Sequence, residues 1–151
     1  DYPGLTRMGL GHTELVHLSR TAGSGPIRLP QLAAPSGGTL IVLDASDASG
    51  ALLQMALDAQ GLDPQVAIQV QTHYVACALV DAGCGDAIVD AITAQAMLRP
   101  GMHLRRLDPA LRVPISIMVR NQDPLSSLHR DLIERLRTAC AERIAALDAP
   151  A

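Results

Sequence analysis

Polar side chains follow three apolar runs of this chain, at the points where each run ends. They are Asp44, Ser46 and Ser49 after the first run, Thr72 and His73 after the second, and Asp90 after the third. Hydroxyls and free helix-start N–H groups can hold a carboxylate, and Asp90 can bind an amine or a guanidinium group. Helix capping is the alternative for Ser49 and Thr72, which are ordinary N-cap residue types. Because three clusters converge, we predict a ligand-binding site made of Ser46, Ser49, Thr72, His73 and Asp90.

The apolar runs have the pattern of buried strands separated by helices. We predict strands over residues 39–43, 65–70 and 86–90, with helices over residues 51–60 and 72–82 between them. This alternation is typical of βαβ units with right-handed crossovers. The carboxyl ends of parallel strands form the crevice in which ligands bind. The predicted site residues should therefore lie along one edge of a single parallel sheet and surround a pocket.

Composition removes several kinds of chemistry. All 12 basic side chains are Arg, so a Schiff-base lysine, a P-loop lysine and a lysine general base are excluded. With no Phe or Trp and only two Tyr, the chain has no aromatic platform for bases or sugars. A net charge of -3 argues against DNA binding by this chain itself. The 151 residues, 48% of them hydrophobic, predict one domain with a large aliphatic core.

The cysteines and glycines suggest two further sites, both of which we disfavour. Three cysteines without a CxxC motif suit a reduced cytoplasm. His73 and Cys77 are spaced to share a metal ion, but no second pair with ligand spacing accompanies them. The glycines on either side of Cys84 follow a helix and precede a strand, whereas a dinucleotide-binding loop has the reverse order. We therefore predict no metal, no cofactor and no catalytic residue.

The last third of the chain has a different pattern. We predict strands over residues 102–107 and 113–119, followed by one long amphipathic helix over residues 124–147. The apolar side of this helix contains Leu125, Leu128, Leu132, Leu136, Ala139, Cys140, Ile144 and Leu147. Such a helix needs a partner surface, and an uncovered apolar face tends to find another chain. We therefore predict self-association through this helix and the strand before it.

Several segments together resemble the carboxyl-terminal half of LysR-type transcriptional regulators. Members of that family commonly carry a "LVaaGxGiaivp" block, a "v.i.lv.r...pls" strand and turn, and a final helix. The matching segments are ALVDAGCGDAIVDAITA at residues 78–94, LRRLDP at residues 104–109, VPISIMVR at residues 113–120, and Leu125-Ser-Ser127. Two departures weaken the match locally, since Asp86 replaces an apolar residue and Ala91 stands where proline is common. Asp86 is expected to be exposed or to pair with an Arg.

The resemblance implies an α/β fold. One lobe would have a Rossmann-like parallel sheet, like that of type 2 periplasmic binding proteins. It would be joined to part of a second lobe with a long C-terminal helix. It implies four segments: residues 1–19 as the end of the first lobe and a connecting strand, 20–95 as the second, effector-binding lobe, 96–147 as the returning strand and C-terminal helix, and 148–151 as a tail. It also implies that the first part of the first lobe and the DNA-binding helix-turn-helix lie outside this chain.

The function implied by the resemblance is effector sensing. A small-molecule effector between the lobes would shift a cytoplasmic, oligomeric regulator between two arrangements. Two alternatives remain open at this point. One is a small α/β enzyme that uses Asp44, His73 or Asp90 as acid or base, and the other is a transport-type solute-binding domain, which the lack of a signal-peptide pattern disfavours.

Overall fold

The computed structural model describes residues 3–33, 39–121 and 125–148 as two compact units. One unit contains residues 1–13 and 114–151, and the other contains residues 14–113. The elements in chain order are β1 (Leu5–Ser19), β2 (Ile27–Arg28), α1 (Leu29–Leu32), β3 (Leu40–Leu43), α2 (Ala48–Asp58), β4 (Val66–Val70), α3 (His73–Asp81), β5 (Asp86–Asp90), α4 (Ala91–Met97), β6 (His103–Asp108), β7 (Arg112–Arg120) and α5 (Ser127–Asp148). Within the described ranges, none of the helices is long and apolar enough to cross a membrane.

The unit of residues 14–113 is built on a sheet in the order β2-β6-β1-β5-β3-β4. Strand β3 pairs in parallel with β4 on one side and with β5 on the other. Strand β1 is antiparallel to both of its neighbours, β5 and β6. The predicted parallel arrangement of the three site-forming strands is therefore confirmed, and their carboxyl ends lie at one edge.

Helices cover both faces of this sheet because its central strands are apolar on both sides. All four residues of β3 are buried, as a strand covered on two faces requires. A cluster of aliphatic side chains packs α1 and α2 against one face; its members are Leu15, Ile27, Leu29, Leu32, Leu40, Val42, Leu53, Leu57, Ile88, Leu107 and Leu111. Helix α3 contacts β5, β3 and α4, and it buries Ala76, Cys77 and Val80.

One helix begins earlier than the sequence pattern predicts. Helix α2 starts at Ala48, three residues before the predicted start, because Asp47 is its N-cap and accepts the N–H of Ser49. The interpretation of Ser49 as an N-cap residue is therefore wrong. Thr72 does cap α3, where its hydroxyl accepts the N–H of Val75. A side chain that caps from two residues earlier leaves the Ser49 hydroxyl available for another contact.

The other unit consists of the first part of β1, the second part of β7, which pairs with β1, and helix α5. Helix α5 lies close to β1, since a Cβ atom on Gly11 would come within 2.7 Å of the Ile144 side chain. Among the side chains of α5 that the structure describes, residues 127–145, Ile133 is buried, and the predicted apolar face does not include it. Three leucines of that predicted face are exposed instead: Leu128 (75%), Leu132 (51%) and Leu136 (41%). The uncovered apolar face expected on this helix is therefore present at these three leucines, whereas the burial of Ile133 was not anticipated. The predicted start of the helix at Pro124 lies outside the described residues.

Candidate functional site

The turn between β3 and α2 is held together by its own carboxylates. Asp44 accepts the backbone N–H of Ser46 at 2.8 Å, and Asp47 accepts that of Ser49 at 2.7 Å. Hydrogen bonds from the side chain and backbone of Ser46 hold the pKa of Asp44 below its usual range. The Asp44 N–H donates to the carbonyl of Val70 at 2.9 Å, so the turn is also tied to the end of β4. Both carboxylates serve the turn itself.

A close backbone approach places the start of α2 against the end of β3. Gly50 is buried, and a Cβ atom at this position would lie 2.6 Å from the carbonyl oxygen of Leu43 and closer still to that of Asp44. Only a residue without a side chain permits this separation. The approach brings Ser49, which is 6% exposed, to the carboxyl edge of the sheet. Nothing in the sequence pattern singled out Gly50, although a Gly in the first turn of a helix is a weak signal of close packing.

His73 joins three elements at this edge through its two ring nitrogens. Its Nε2 lies 3.2 Å from Ser49 Oγ at the start of α2. Its Nδ1 accepts the backbone N–H of Asp90, at the end of β5, with a distance of 3.1 Å. The same Nδ1 is 3.6 Å from Asp90 Oδ2, and the two side chains are only 18% and 13% exposed. We call Ser49, His73 and Asp90 the edge cluster.

Asp90 also determines where α4 begins. Its side chain is the N-cap of α4 and accepts the N–H of Thr93 at 2.9 Å through Oδ1. The other carboxylate oxygen faces His73. The Asp90 carboxylate is thus used in part by capping.

The predicted site residues fall into two groups in the structure. Ser49, His73 and Asp90 come together in the edge cluster. Ser46 is exposed, and its backbone N–H binds Asp44. Thr72 is exposed and caps α3 directly before His73. The expectation that these residues surround a pocket stays a prediction.

A cavity of about 560 Å³ lies elsewhere in the same unit, along β6. Its lining is Gly23, Gly25, Pro26, Leu104, Arg105, Arg106, Leu107, Asp108 and Ala110. Arg105 is already engaged there, because its guanidinium donates to the carbonyls of Ser24, Gly25 and Pro26. Arg106 binds Glu14 at 2.8 Å. None of the predicted site residues lines this cavity, and the sequence analysis did not anticipate it.

A second polar cluster lies where β5 begins. Asp86 accepts hydrogen bonds from Ser19 Oγ at 2.6 Å and pairs with His17 Nε2 at 3.2 Å. The expectation that Asp86 is exposed or paired with an Arg is therefore wrong, since its partners are a buried His and a buried Ser. His17 Nδ1 is buried without a hydrogen bond partner in the described part of the chain. Burial lowers the pKa of His17, and Asp86 opposes the effect only in part.

The cysteines are separate thiols. Cys77 is buried in α3, and desolvation raises its pKa to about 11. A thiol in that state is neither a nucleophile nor a ready metal ligand. Cys84 is exposed and Cys140 is half-buried. Across the described residues, no three His, Cys, Asp or Glu side chains are grouped so that they could hold a metal ion.

Comparison with known proteins gives one family. The model of the LysR substrate binding domain matches residues 1–141. No curated protein sequence matches the chain. Among solved structures, the chain is similar to the CcmR regulatory domain from Synechocystis PCC6803 in complex with 2-PG, with a TM-score of 0.72 and 13% identity over 93% of this chain and 70% of that one.

Two further structures are similar to the same extent. The BenM effector binding domain with its effector benzoate gives a TM-score of 0.73 at 22% identity, over 99% of this chain and 68% of that one. Full-length CbnR complexed with its target DNA gives a TM-score of 0.71 at 20% identity, over 93% of this chain and 50% of that one. The chain thus spans about two thirds of the isolated effector-binding domains and about half of the full-length regulator. At these identities the structural likenesses show the fold alone.

Proposed function

Because the chain belongs to the LysR substrate-binding domain family, we propose that it is the effector-sensing part of a DNA-binding transcriptional regulator. The family and the α/β fold predicted from the sequence motifs are confirmed. Effector binding would shift the populations of two lobe arrangements, and the difference in effector affinity between them would set the size of the response. We also propose a cytoplasmic location, which suits three separate thiols.

The edge cluster is the observation that supports a location for the effector. Ser49, His73 and Asp90 converge at the carboxyl ends of parallel strands, the place where α/β sheets bind their ligands. We propose that the hydroxyls of Ser46, Ser49 and Thr72 bind an effector carboxylate or similar oxygen. Asp90 would attract an amine or guanidinium group on the same molecule.

A ligand screen tests this function. Small carboxylates, amines and amino acids, with benzoate and shikimate among them, would be added to the chain while its melting temperature is recorded. A true effector raises that temperature by mass action, and heteronuclear NMR should place the shift changes at residues 44–49, 72–73 and 90. Ser49→Ala should weaken binding. Ser24→Ala is the matched control, because its side chain lies in an exposed loop outside the edge cluster.

Two results would contradict the proposal. Ligands that stabilise the chain but perturb only the β6 cavity would move the site to Arg105 and its neighbours. Chemical conversion of a stabilising ligand, followed by NMR of the small molecule, would instead favour an enzyme that uses Asp44, His73 or Asp90. A His73 that acts as general base toward Ser49 would need an unprotonated Nε2, whereas the nitrogen that accepts the Asp90 N–H, and is therefore unprotonated, is Nδ1.

We further propose that the exposed leucines of α5 take part in self-association. Leu128, Leu132 and Leu136 recur every four residues on one side of the helix, and each is more than 40% exposed. Apolar side chains in such a row favour burial against another apolar surface. Sedimentation velocity of the chain and of a Leu128→Asp/Leu132→Asp variant should show a loss of association in the variant. A wild-type chain that sediments as a monomer at high concentration would contradict this proposal.

DNA contacts would come from other parts of the regulator. This chain has a net charge of -3, and five of its 12 arginines pair with carboxylates, namely Arg20, Arg28, Arg106, Arg112 and Arg137. A mobility-shift titration at low salt, where electrostatic binding is strongest, should show no complex with this chain. Salt-sensitive binding in this titration would contradict the proposal.

A further inference from the structure

We infer that His73 is a positioning residue whose ring, protonated at Nε2, leaves the hydroxyl proton of Ser49 for the effector, so that the site selects molecules presenting an acceptor oxygen. This inference rests on the proposed function and adds to it which partner donates the hydrogen bond between Ser49 and the effector. It follows from the two hydrogen bonds of the ring and from the lack, among the residues that the structure describes, of another partner for the Ser49 hydroxyl.

The backbone N–H of Asp90 decides the tautomer. A backbone N–H can only donate, and it points at His73 Nδ1 with a distance of 3.1 Å. Nδ1 must therefore be the acceptor, without a proton. In a neutral imidazole the proton then lies on Nε2. The opposite tautomer and the doubly protonated ring would both place two hydrogens between Nδ1 and the Asp90 nitrogen.

The tautomer in turn sets the role of Ser49. With its proton on Nε2, His73 donates to Ser49 Oγ across 3.2 Å. The hydroxyl of Ser49 then has its own proton to give. Within the described residues, Ser49 Oγ has no second hydrogen bond partner, including the carbonyls of the preceding turn. A buried hydroxyl that has accepted one hydrogen bond and still has a proton to donate favours an acceptor on the ligand.

The charged neighbours of His73 are few. Asp90 Oδ2 is 3.6 Å from Nδ1, and Cys77 lies one turn further along α3 with a protonated thiol. Asp44 and Asp47 belong to the facing turn and bind its backbone N–H groups. A neutral acceptor tests the Ser49 contact without a contribution from the charges of Asp44, Asp47 and Asp90. The probe we choose is N,N-dimethylformamide, which can accept a hydrogen bond but cannot donate one.

The first experiment needs no effector. In a uniformly ¹⁵N-labelled chain at neutral pH, long-range ¹H–¹⁵N correlation spectra should show His73 with a protonated Nε2 and a bare Nδ1. A scalar coupling across the hydrogen bond should connect the amide nitrogen of Asp90 with His73 Nδ1. A proton on Nδ1, or the absence of the coupling, would overturn the inference.

The second experiment separates the two ring contacts with amide side chains. The Asn oxygen can replace Nδ1 as acceptor, and the Gln amide can replace Nε2 as donor. Titration with N,N-dimethylformamide, followed at the Ser49 and Asp90 amides, should therefore give similar binding in wild type and His73→Gln. Binding should be about tenfold weaker in His73→Asn, the change that one hydrogen bond is worth. Ser49→Ala should abolish the response at residue 49.

Each outcome decides the question. Wild-type binding in His73→Asn, or equal weakening in both variants, would overturn the positioning role. If either variant loses its native circular dichroism, the tautomer and coupling measured in the wild type decide alone. A wild-type chain whose Ser49 does not respond to the probe would overturn the inference, whereas the sensing function would still be decided by the ligand screen.

Discussion

Gly50→Ala tests whether the backbone approach at the carboxyl edge is required. In an ordinary helix this change stabilises the protein by about 1 kcal/mol, because Gly is the poorer helix former. At Gly50 the added Cβ would lie 2.6 Å from the carbonyl oxygen of Leu43, with the carbonyl of Asp44 closer still. Both obstacles are backbone atoms at the end of a fully buried strand. They cannot rotate away as the tip of a side chain would.

The steric effect should exceed the gain in helix propensity. Overpacking a well-ordered interior typically costs about 1–3 kcal/mol and sometimes more. Two carbonyls at these separations place Gly50→Ala at the upper end, so we expect a net loss of roughly 2–3 kcal/mol. For a chain of this length, that loss lowers the melting temperature by roughly 4–12 °C. The start of α2 should also move, which would separate Ser49 from His73.

Urea unfolding and the amide spectrum of the edge cluster measure these effects together. Gly9→Ala in β1 is the matched control, because a Cβ at Gly9 meets no atom within 4 Å and its backbone is outside the left-handed region. The control should be neutral or slightly stabilising. If Gly50→Ala proved as stable as Gly9→Ala, with the Asp90 and Ser49 amides unmoved, the close approach would have no energetic importance and our account of the site would fail.

Three more outcomes follow from the structure. The free energy of unfolding should decrease as the pH falls below about 6.5, because burial lowers the pKa of His17 and the unfolded chain then binds the proton more readily; a His17→Gln variant that keeps the same pH dependence in urea titrations would refute this. Leu53→Ala should cost about 2–5 kcal/mol, and the exposed Leu128→Ala within about 0.5, by the same assay; equal costs would be incompatible with the described core. Ellman's reagent should modify Cys84 in the native chain and Cys77 only after unfolding, since its pKa is about 11 and it is buried; rapid native labelling of Cys77 would disagree.

Strands of the sheet could be predicted where the local sequence alone indicates that they are buried. Strand β3 is a continuous apolar run, and β5 follows a glycine that ends a helix, so each was predicted within a residue of its bounds. Both strands are buried on two faces, which leaves a strong local signal. The predicted start of α2 failed because three residues, Asp47, Ser49 and Ala51, all fit a helix start, and only the geometry of the turn chooses among them.

Contacts between distant residues could not be predicted from local patterns. Asp86 pairs with His17 across 69 positions of sequence, and no spacing rule connects such residues. The burial of Ile133 in α5 was missed for a related reason: the pattern contains both Ile133 and a row of leucines, and only tertiary contacts determine which side is covered. At the candidate site, the sequence pattern brought Ser49, His73 and Asp90 to one edge of the sheet, where the structure has them, but the capping and hydrogen bonding of each residue depended on its neighbours.

The position of β4 at the end of the strand order has a consequence for how the chain behaves while it folds. An edge strand presents unpaired backbone groups that can recruit a strand from another molecule. Strand β4 is short and mostly exposed, and its pairing with β3 is irregular between Leu40 and Ile41. Asp63 and Pro64 precede it, and both residue types discourage strand extension. The residues that lead into β4 therefore limit aggregation through the open edge. Substitution of Pro64 by a β-branched residue should make the refolding chain aggregate sooner.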